Sequence, residues 1–302
     1  MTAAAARPAR LTVGVVGAGR VGTALASALH SAGHEVVAVS GVSAASQRRA
    51  AERLPGVPVL SPSDVVRRAA LVLVTPPDDQ LAGVVRGLAE GGDVRAGQLV
   101  VHCSGRYGLE VLEPAVELGA LPLALHPVMT FLGAAEDVDR LVGATFGVTA
   151  PDVLRPVAEA LVLEMHGEPV WVPEGERPLY HAALALGANY LVTLVNEASD
   201  LLRAAGVEQP SRLLAPLLSA SLDNALLRGD AALTGPVARG DADTVAAHLT
   251  ALRRTAPTVV PAYVAMARLT AERALQSGRL SAVAAERLLD VLAAPHGAGA
   301  QA

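Results

Sequence analysis

The first half of the chain alternates short apolar runs with segments of helical spacing. The apolar runs have the length and β-branching of buried strands, and they cover 12–16, 36–39, 71–74, 99–102, 123–125, 145–148 and 169–172. Between the first two runs, apolar side chains recur at helical spacing at Val21, Leu25 and Leu29. Strand–helix repetition with strands that are apolar on both faces predicts an α/β fold, a doubly wound parallel sheet covered by helices.

The pattern changes near residue 173, where the strands stop. Helical spacing begins at Pro178, and further helices are predicted around 211–228, 241–255, 258–277 and 281–293. The chain is thus predicted to hold one domain over 11–173 and an all-helical second domain over 178–294, which would bind substrate and dimerise. Residues 1–10 and 295–302 are predicted to be disordered tails.

The uncharged stretch 178–196 predicts a buried helix rather than a membrane span, because it contains polar side chains such as His181 and Asn189. The first ten residues lack the apolar core of a signal peptide. Together these features predict a cytoplasmic protein with no membrane partner.

Composition narrows the possible functions. Hydrophobic residues make up 52% of the 302 residues, charged residues 18%, and the net charge is −5. This balance excludes disorder for most of the chain and disfavours nucleic acid as a partner. All 24 basic residues are arginine, which excludes mechanisms that need a catalytic lysine. The single cysteine, Cys103, excludes an intramolecular disulfide and a multi-cysteine metal site, and it fits a reducing cytoplasm.

A glycine-rich turn follows the first predicted strand and opens the first helix. It has the spacing G-x-G-x-x-G and consists of Gly17, Ala18, Gly19, Arg20, Val21 and Gly22. In this context the first glycine permits a tight turn, the second lets the backbone approach a pyrophosphate, and the third lets the helix pack closely on the strand. The N–H groups at the helix N-terminus then face the phosphates. We therefore predict that 11–173 is a dinucleotide-binding Rossmann domain.

The end of the second strand favours NADP (NADPH) over NAD. NAD sites usually carry Asp or Glu there, on the ribose hydroxyls. Here the strand ends at Ser40 and the chain continues to Ser43 without an acid. Both hydroxyls can donate hydrogen bonds to a 2′-phosphate, and Arg48 or Arg49 can add charge. The alternatives are that Ser43 caps the next helix and that the arginines lie on a solvated helix face.

Candidate residues for the chemistry lie at the ends of the next strands. Thr75 and Pro76 close the third strand and are predicted to lie beside the ribose and nicotinamide, or to form only a strand-ending turn. His102 ends the fourth strand shortly before Ser104, and His126 follows the fifth. Reduction of a carbonyl or imine needs a proton donor near the reacting atom, and these side chains are candidates. The alternative for each histidine is a structural role in a turn, held by a backbone carbonyl.

The second domain adds three candidates. His181 and Asn189 are eight residues apart on one predicted helix, hence on nearly one face. His181 fits a proton donor or a core histidine, and Asn189 in an apolar helix must find hydrogen-bond partners. Arg239 lies in a compact turn and is a candidate for holding a substrate carboxylate with two N–H groups, or an exposed loop residue. Asp241 is predicted to cap the next helix.

The ordered set of motifs resembles a known superfamily. The motifs are GAGRVG at 17–22, VTPPD at 74–78, HCSG at 102–105, HPVMTF at 126–131, YHAALALGANYL at 180–191 and GPVARGD at 235–241. Over about 11–290 the chain resembles the 6-phosphogluconate dehydrogenase-like superfamily, and within it a family with a Rossmann-like domain and a helical C-terminal domain of unknown function. The resemblance implies NADP-dependent reduction of a small carboxylated substrate, similar to pyrroline-5-carboxylate reductase and ketopantoate reductase, and implies a helical domain that pairs as a homodimer.

Two departures bear on the mechanism. Ketopantoate reductases place a catalytic lysine on the first helix of the second domain, where this chain offers His181. The segment that begins at His126 also resembles prephenate dehydrogenases, whose histidine contacts the oxidised hydroxyl.

The leading hypothesis is an NADP(H)-dependent oxidoreductase that reduces a 2-oxo acid, with ketopantoate as the first candidate. In this hypothesis His126 or His181 supplies the proton, Arg239 and Asn189 orient the substrate, and Ser104 lies near the nicotinamide. Alternatives are an imine reductase, a prephenate-type dehydrogenase, a reductase that uses a deazaflavin, and a non-catalytic NADP-binding sensor.

Overall fold

The structure is a computed structural model that describes residues 10–293. The predicted tails 1–10 and 295–302 therefore lie outside the described residues, apart from the exposed Arg10. The chain divides into two compact units, Met1–Ala185 and Leu186–Ala302. The division falls later in the chain than the predicted boundary, which lay between the domains at 11–173 and 178–294, because Arg177 and Tyr180 make their contacts within the first unit.

Seven strands form one sheet in the first unit. They are β1 (Thr12–Val16), β2 (Glu35–Ser40), β3 (Leu71–Val74), β4 (Leu99–His102), β5 (Leu121–Pro127), β6 (Thr145–Thr149) and β7 (Glu168–Trp171), in the order β2-β1-β3-β4-β5-β6-β7. The predicted Rossmann-like α/β fold is confirmed. One detail differs, because β6 pairs antiparallel with β5 and β7 follows the direction of β6. The connection from β5 to β6 carries a single helical turn, which is too little for the crossover that a parallel neighbour needs.

Helices cover both faces of the sheet. They are α1 (Arg20–Ser31), α2 (Ala44–Arg53), α3 (Pro62–Arg68), α4 (Asp78–Glu90), α5 (Glu113–Val116), α6 (Glu136–Asp139), α7 (Arg155–Glu164) and α8 (Arg177–Leu184). Alternate strand residues enter opposite cores, with Leu73 and Val101 facing α1 and α7, and Val72 and Val100 facing α3 and α4. Each buried Val or Leu contributes roughly 1.5–3 kcal/mol, so both layers fix the strand ends that carry the candidate residues.

The second unit is helical, as predicted. It contains α9 (Tyr190–Ala204), α10 (Pro210–Arg228), α11 (Gly235–Arg239), α12 (Ala242–Thr255), α13 (Val260–Gln276) and α14 (Ala282–Ala293). Its core is built from the facing sides of α12, α13 and α14, around residues such as Val245, Leu249 and Leu288.

The helix that leads from the first unit into the second differs from the sequence prediction. After α8, a π-turn at Ala185–Asn189 precedes α9. The apolar side chains of α9 are largely exposed, with 57% for Tyr190 and 61% for Val192, so the predicted buried helix over 178–196 is wrong. Helical periodicity shows that an apolar face exists, but it does not show whether the same chain covers that face. Within the described chain, one helix, Glu174–Ala204, is long and apolar enough to cross a membrane by length and composition, which alone is weak support for a span.

Candidate active site

The glycine-rich turn packs tightly against the end of β3. Gly17 has φ +99°, and a Cβ on it would lie 2.8 Å from the carbonyl carbon of Thr75. The Thr75 hydroxyl donates to the Gly17 carbonyl at 2.7 Å. A Cβ on Gly22 would overlap the same hydroxyl, so α1 can approach β1 only with glycine there. Gly19 is the N-cap of α1, which leaves the first backbone N–H groups of the helix available to an anion.

Ser40 and Ser43 have structural partners. Ser40 is buried, its hydroxyl accepts from the N–H of Gly17 at 3.3 Å, and its carbonyl accepts from the N–H of Ala18 at 2.7 Å. The exposed Ser43 caps α2 and accepts from the N–H of Ser46 at 3.1 Å. Ser40 therefore fixes the glycine-rich turn from within, while Ser43 stands at the surface.

Two arginines meet beside the start of α1. Arg20 Nη1 donates to the carbonyl of Phe131 at 3.4 Å. A Cβ on Gly133 would lie 3.1 Å from Nε of Arg49 and 3.3 Å from Cγ of Arg20, so both side chains border the loop 131–133. The buried carboxylate of Asp137 anchors that loop by accepting from the N–H of Gly133 at 2.6 Å. The positive charges next to the glycine-rich turn suit a phosphate.

Three side chains form a compact polar cluster near the carboxyl end of β5: His126, Tyr180 and His181. Nδ1 of His126 lies 2.9 Å from Oη of Tyr180. The imidazole rings of His126 and His181 are nearly perpendicular, with centroids 6.0 Å apart. Gly105 closes the cluster, because a Cβ there would lie 2.7 Å from Cδ2 of His181 and 2.9 Å from Nε2 of His126. The structure thus brings together two predicted histidines and adds Tyr180.

The electrostatics of this cluster suit proton transfer without a permanent charge on the histidine. Burial, and after it the positive charge of Arg177, lower the pKa of His126 to about 4. His126 is therefore neutral near pH 7. Burial also raises the pKa of Tyr180, so the phenol keeps its proton. A neutral imidazole hydrogen-bonded to a phenol can pass a proton in either direction.

His102 and Ser104 shape the loop after β4. The completely buried His102 donates from Nε2 to the carbonyl of Gly108 at 2.7 Å and accepts at Nδ1 from the N–H of Ser104 at 3.2 Å. The Ser104 hydroxyl accepts from the N–H groups of Arg106 and Tyr107 at 3.2 and 3.3 Å. Both ring nitrogens of His102 are thus engaged, which is the structural role that the sequence left open.

Neither a reactive cysteine nor a metal-binding group is found near the cluster among the described residues. Burial raises the pKa of the Cys103 thiol to about 12, so it is not a thiolate near neutral pH. The described residues contain no group of three or more His, Cys, Asp or Glu side chains that could hold a metal ion.

Arg177 and Tyr180 are the site residues that the sequence analysis missed. Arg177 is completely buried, and its guanidinium donates hydrogen bonds to neutral oxygens. The acceptors are Oγ1 of Thr149 at 2.9 Å and the carbonyls of Ser104 at 3.2 Å, Ala124 at 3.0 Å and Gly147 at 3.0 Å. Arg177 stands in the polar stretch 173–178, which predicts a solvated linker. Tyr180 and His181 follow it at i+3 and i+4, the spacing that shares one helix face and could have found all three.

The remaining predicted residues lie in the second unit. Asn189 ends the π-turn and is exposed, so its predicted burial is wrong, and the π-turn interrupts the α-helical face assumed from His181 to Asn189. Arg239 is the exposed last residue of α11. Asp241 caps α12 as predicted, with Oδ1 accepting from the N–H of Thr244 at 3.0 Å. Substrate binding by Asn189 and Arg239 stays a prediction.

Family models match both halves of the chain. Residues 1–127 match the Rossmann-like domain, and residues 144–270 match a domain of unknown function, DUF2520. The two matches lie one after the other and agree with the observed order of a Rossmann-like unit and a helical unit. It is also similar to a glycerol-3-phosphate dehydrogenase [NAD(P)+] from Bradyrhizobium sp., with 30% identity over 222 residues. That match covers 69% of this chain, and the chain spans 64% of the length of that relative.

Solved structures share the fold of this chain. Protein BF3122 from Bacteroides fragilis has a TM-score of 0.74 at 22% identity, covering 87% of this chain and 98% of that one. Protein TM1727 from Thermotoga maritima has a TM-score of 0.65 at 22% identity, covering 89% and 100%. A reductive aminase from Aspergillus terreus, solved with NADPH, has a TM-score of 0.66 at 21% identity, covering 93% and 99%. At these identities the likeness establishes the fold.

Proposed function

We propose that this protein is an NADP(H)-dependent oxidoreductase that reduces a C=O or C=N bond of a small carboxylated substrate, with ketopantoate (2-dehydropantoate) as the first candidate. The observation that carries the proposal is the cluster of His126, Tyr180 and His181. It lies near the carboxyl end of β5, at the same edge of the parallel part of the sheet as the glycine-rich turn after β1. Ligands of open α/β sheets bind at this edge.

The residues at that edge fit a dinucleotide phosphate. The first turn of α1 would receive the pyrophosphate, and Arg20 and Arg49 would receive the 2′-phosphate. Support also comes from similar proteins, because the reductive aminase of this fold was solved with NADPH and the glycerol-3-phosphate dehydrogenase, a sequence match, is named for NAD(P)+. When bound, the nicotinamide supplies the hydride.

The cluster supplies the proton in this proposal. Tyr180 donates its phenolic proton to the oxygen or nitrogen that receives the electron pair. The Nδ1–H of His126 then returns a proton to the Tyr180 oxygen at 2.9 Å, while Nε2 of His126 takes one up. His181 lies beside His126 and would pass protons to it from solvent.

The assembly and location that we propose follow the sequence prediction of a cytoplasmic homodimer. The exposed apolar side chains of α9 and α10, including Leu217 at 61% and Leu226 at 78%, offer a face that a second copy would cover. Arg239 and Asn189 would orient the substrate carboxylate.

The second candidate is an imine reductase, favoured because reductive aminases and imine reductases share this fold at up to 93% coverage of the chain. The test is an assay of NADPH consumption with ketopantoate, with NADH as the cofactor control and a cyclic imine acid as the second substrate. Turnover that prefers NADPH and disappears in Tyr180→Phe supports the proposal. NADPH binding without consumption across both substrates contradicts it and favours a sensor.

A further inference from the structure

Arg177 is an arginine whose hydrogen-bond partners are all uncharged. Its side chain is completely buried, and its hydrogen-bond acceptors are one hydroxyl and three carbonyls. The ion pairs found among residues 10–293 do not include it. A buried charge without an opposite charge is costly, so an apolar residue would serve a purely structural position better.

The partners of Arg177 come from the elements that build the cluster. The carbonyls belong to the loop after β4, to β5 and to β6, through Ser104, Ala124 and Gly147. The guanidinium also lies 5.8 Å from the ring centroid of Tyr180, one helical turn later on α8. Arg177 therefore binds the first turn of α8 to β5, which carries His126, and to β6. The next turn of α8, with Tyr180 and His181, then lies beside His126.

The positive charge of Arg177 also affects the electrostatic field within the cluster of His126, Tyr180 and His181. Besides the three members of the cluster, the titratable groups that interact with His126 or Arg177 are His102, Cys103 and Glu174. Glu174 is exposed and its carboxylate is occupied by the N–H groups of Leu109 and Glu110 at 2.6 and 3.2 Å. Solvent screens the negative charge of the exposed Glu174 but not the positive charge of the buried Arg177. The field within the cluster is therefore positive, which favours an anion and disfavours a second cation.

We infer that Arg177 is a positioning residue that fixes Tyr180 and His181 against His126 and, through its uncompensated charge, restricts the site to substrates that carry a negative charge. The inference rests on the proposed function for the reaction itself. It names the substrate class of that site: the acid, and not its neutral ester.

The first test compares ketopantoate with its methyl ester in the wild-type protein. We expect kcat/KM to favour the acid by about tenfold or more, because the buried positive charge attracts the carboxylate through a medium of low effective dielectric constant. The His126 imidazole resonances report binding without turnover, and they should respond to the acid alone. Equal response to acid and ester, or response to neither, overturns the inference. If NADPH is not consumed while His126 responds only to the acid, the proposed reaction fails and the inference stands.

Two variants separate charge from geometry. Arg177→Gln should reduce the preference for the acid about tenfold and raise the pKa of His126, whereas Arg177→Lys should keep the preference and lower kcat, because the ammonium cannot hold four acceptors in the same fork. Arg106→Gln is the control, since Arg106 is an exposed arginine in the neighbouring loop. An unchanged acid-to-ester ratio and an unchanged His126 titration in folded Arg177→Gln would overturn the inference. If that variant does not fold, the wild-type comparison still decides.

Discussion

His102 is expected to make the protein less stable in mild acid. Its imidazole is completely buried, and burial lowers its pKa from 6.5 to about 4. Between these values the unfolded chain binds a proton that the native protein does not, so falling pH favours unfolding. At about 1.4 kcal/mol per pKa unit, the shift from 6.5 to about 4 corresponds to about 3 kcal/mol of unfolding free energy. This stability is fully present above pH 6.5 and is lost progressively towards pH 4.

The assay is urea unfolding of wild-type protein and His102→Gln at several values between about pH 7.5 and 4.5. The amide nitrogen of Gln can still donate to the carbonyl of Gly108, but the acceptor for the N–H of Ser104 is lost. We expect the variant to be about 1–2 kcal/mol less stable than wild type at neutral pH. The difference should narrow or reverse in acid, because Gln binds no proton.

The matched control is His30→Gln, since His30 is an exposed histidine on α1. Its unfolding free energy should run parallel to that of wild type. A difference between wild type and His102→Gln that stays constant across the pH range would refute the reasoning. A loss of kcat as large in His102→Gln as in His126→Gln would refute the structural role itself.

Other predictions concern the reaction and the cofactor. Gly105→Ala should lower kcat at least about tenfold with little change in NADPH affinity, because the new Cβ would lie under 3 Å from two imidazoles; Gly83→Ala, where a Cβ meets no atom within 4 Å, should leave kcat unchanged. Arg49→Gln should raise the KM for NADPH about tenfold and leave that for NADH, with the exposed Arg48→Gln as control; equal loss for both cofactors would contradict the 2′-phosphate role. Cys103→Ser should retain turnover, and wild-type Cys103 should resist iodoacetamide near pH 7.5, since its thiol has a pKa of about 12; inactivation by either treatment would contradict this.

Local patterns predicted the first unit well because each strand and turn is encoded by a short stretch. The apolar run 12–16 and the glycines that follow it specify β1, the turn and α1 without information from elsewhere. Strand direction is different. The reversal at β6 depends on how a connection folds, and hydrophobic pattern reports burial but not direction.

The burial of the charged Arg177 was harder to predict from the sequence than the strands and turns. Arg177 lies between acidic residues and prolines, a composition typical of a solvated linker, although it ends up completely buried. Its acceptors are backbone carbonyls, which every residue has, so no partner residue type marks its position. The exposure of α9 was missed for a related reason. The sequence shows that the helix has an apolar face, but it does not show whether the same chain or another molecule packs against it.

The reversed direction of β6 and β7 determines where α8 starts. Since β7 is parallel to β6, the chain leaves the sheet beside the amino-terminal end of β5, opposite to the end that carries His126. Arg177 is hydrogen-bonded there to Thr149 and Ala124. The helix then rises along the sheet until Tyr180 reaches His126. The three-residue spacing from Arg177 to Tyr180 fixes the position of the phenol relative to His126. A single residue inserted into that spacing would rotate everything beyond it by about 100°, so this short stretch should tolerate substitution more readily than any change in length.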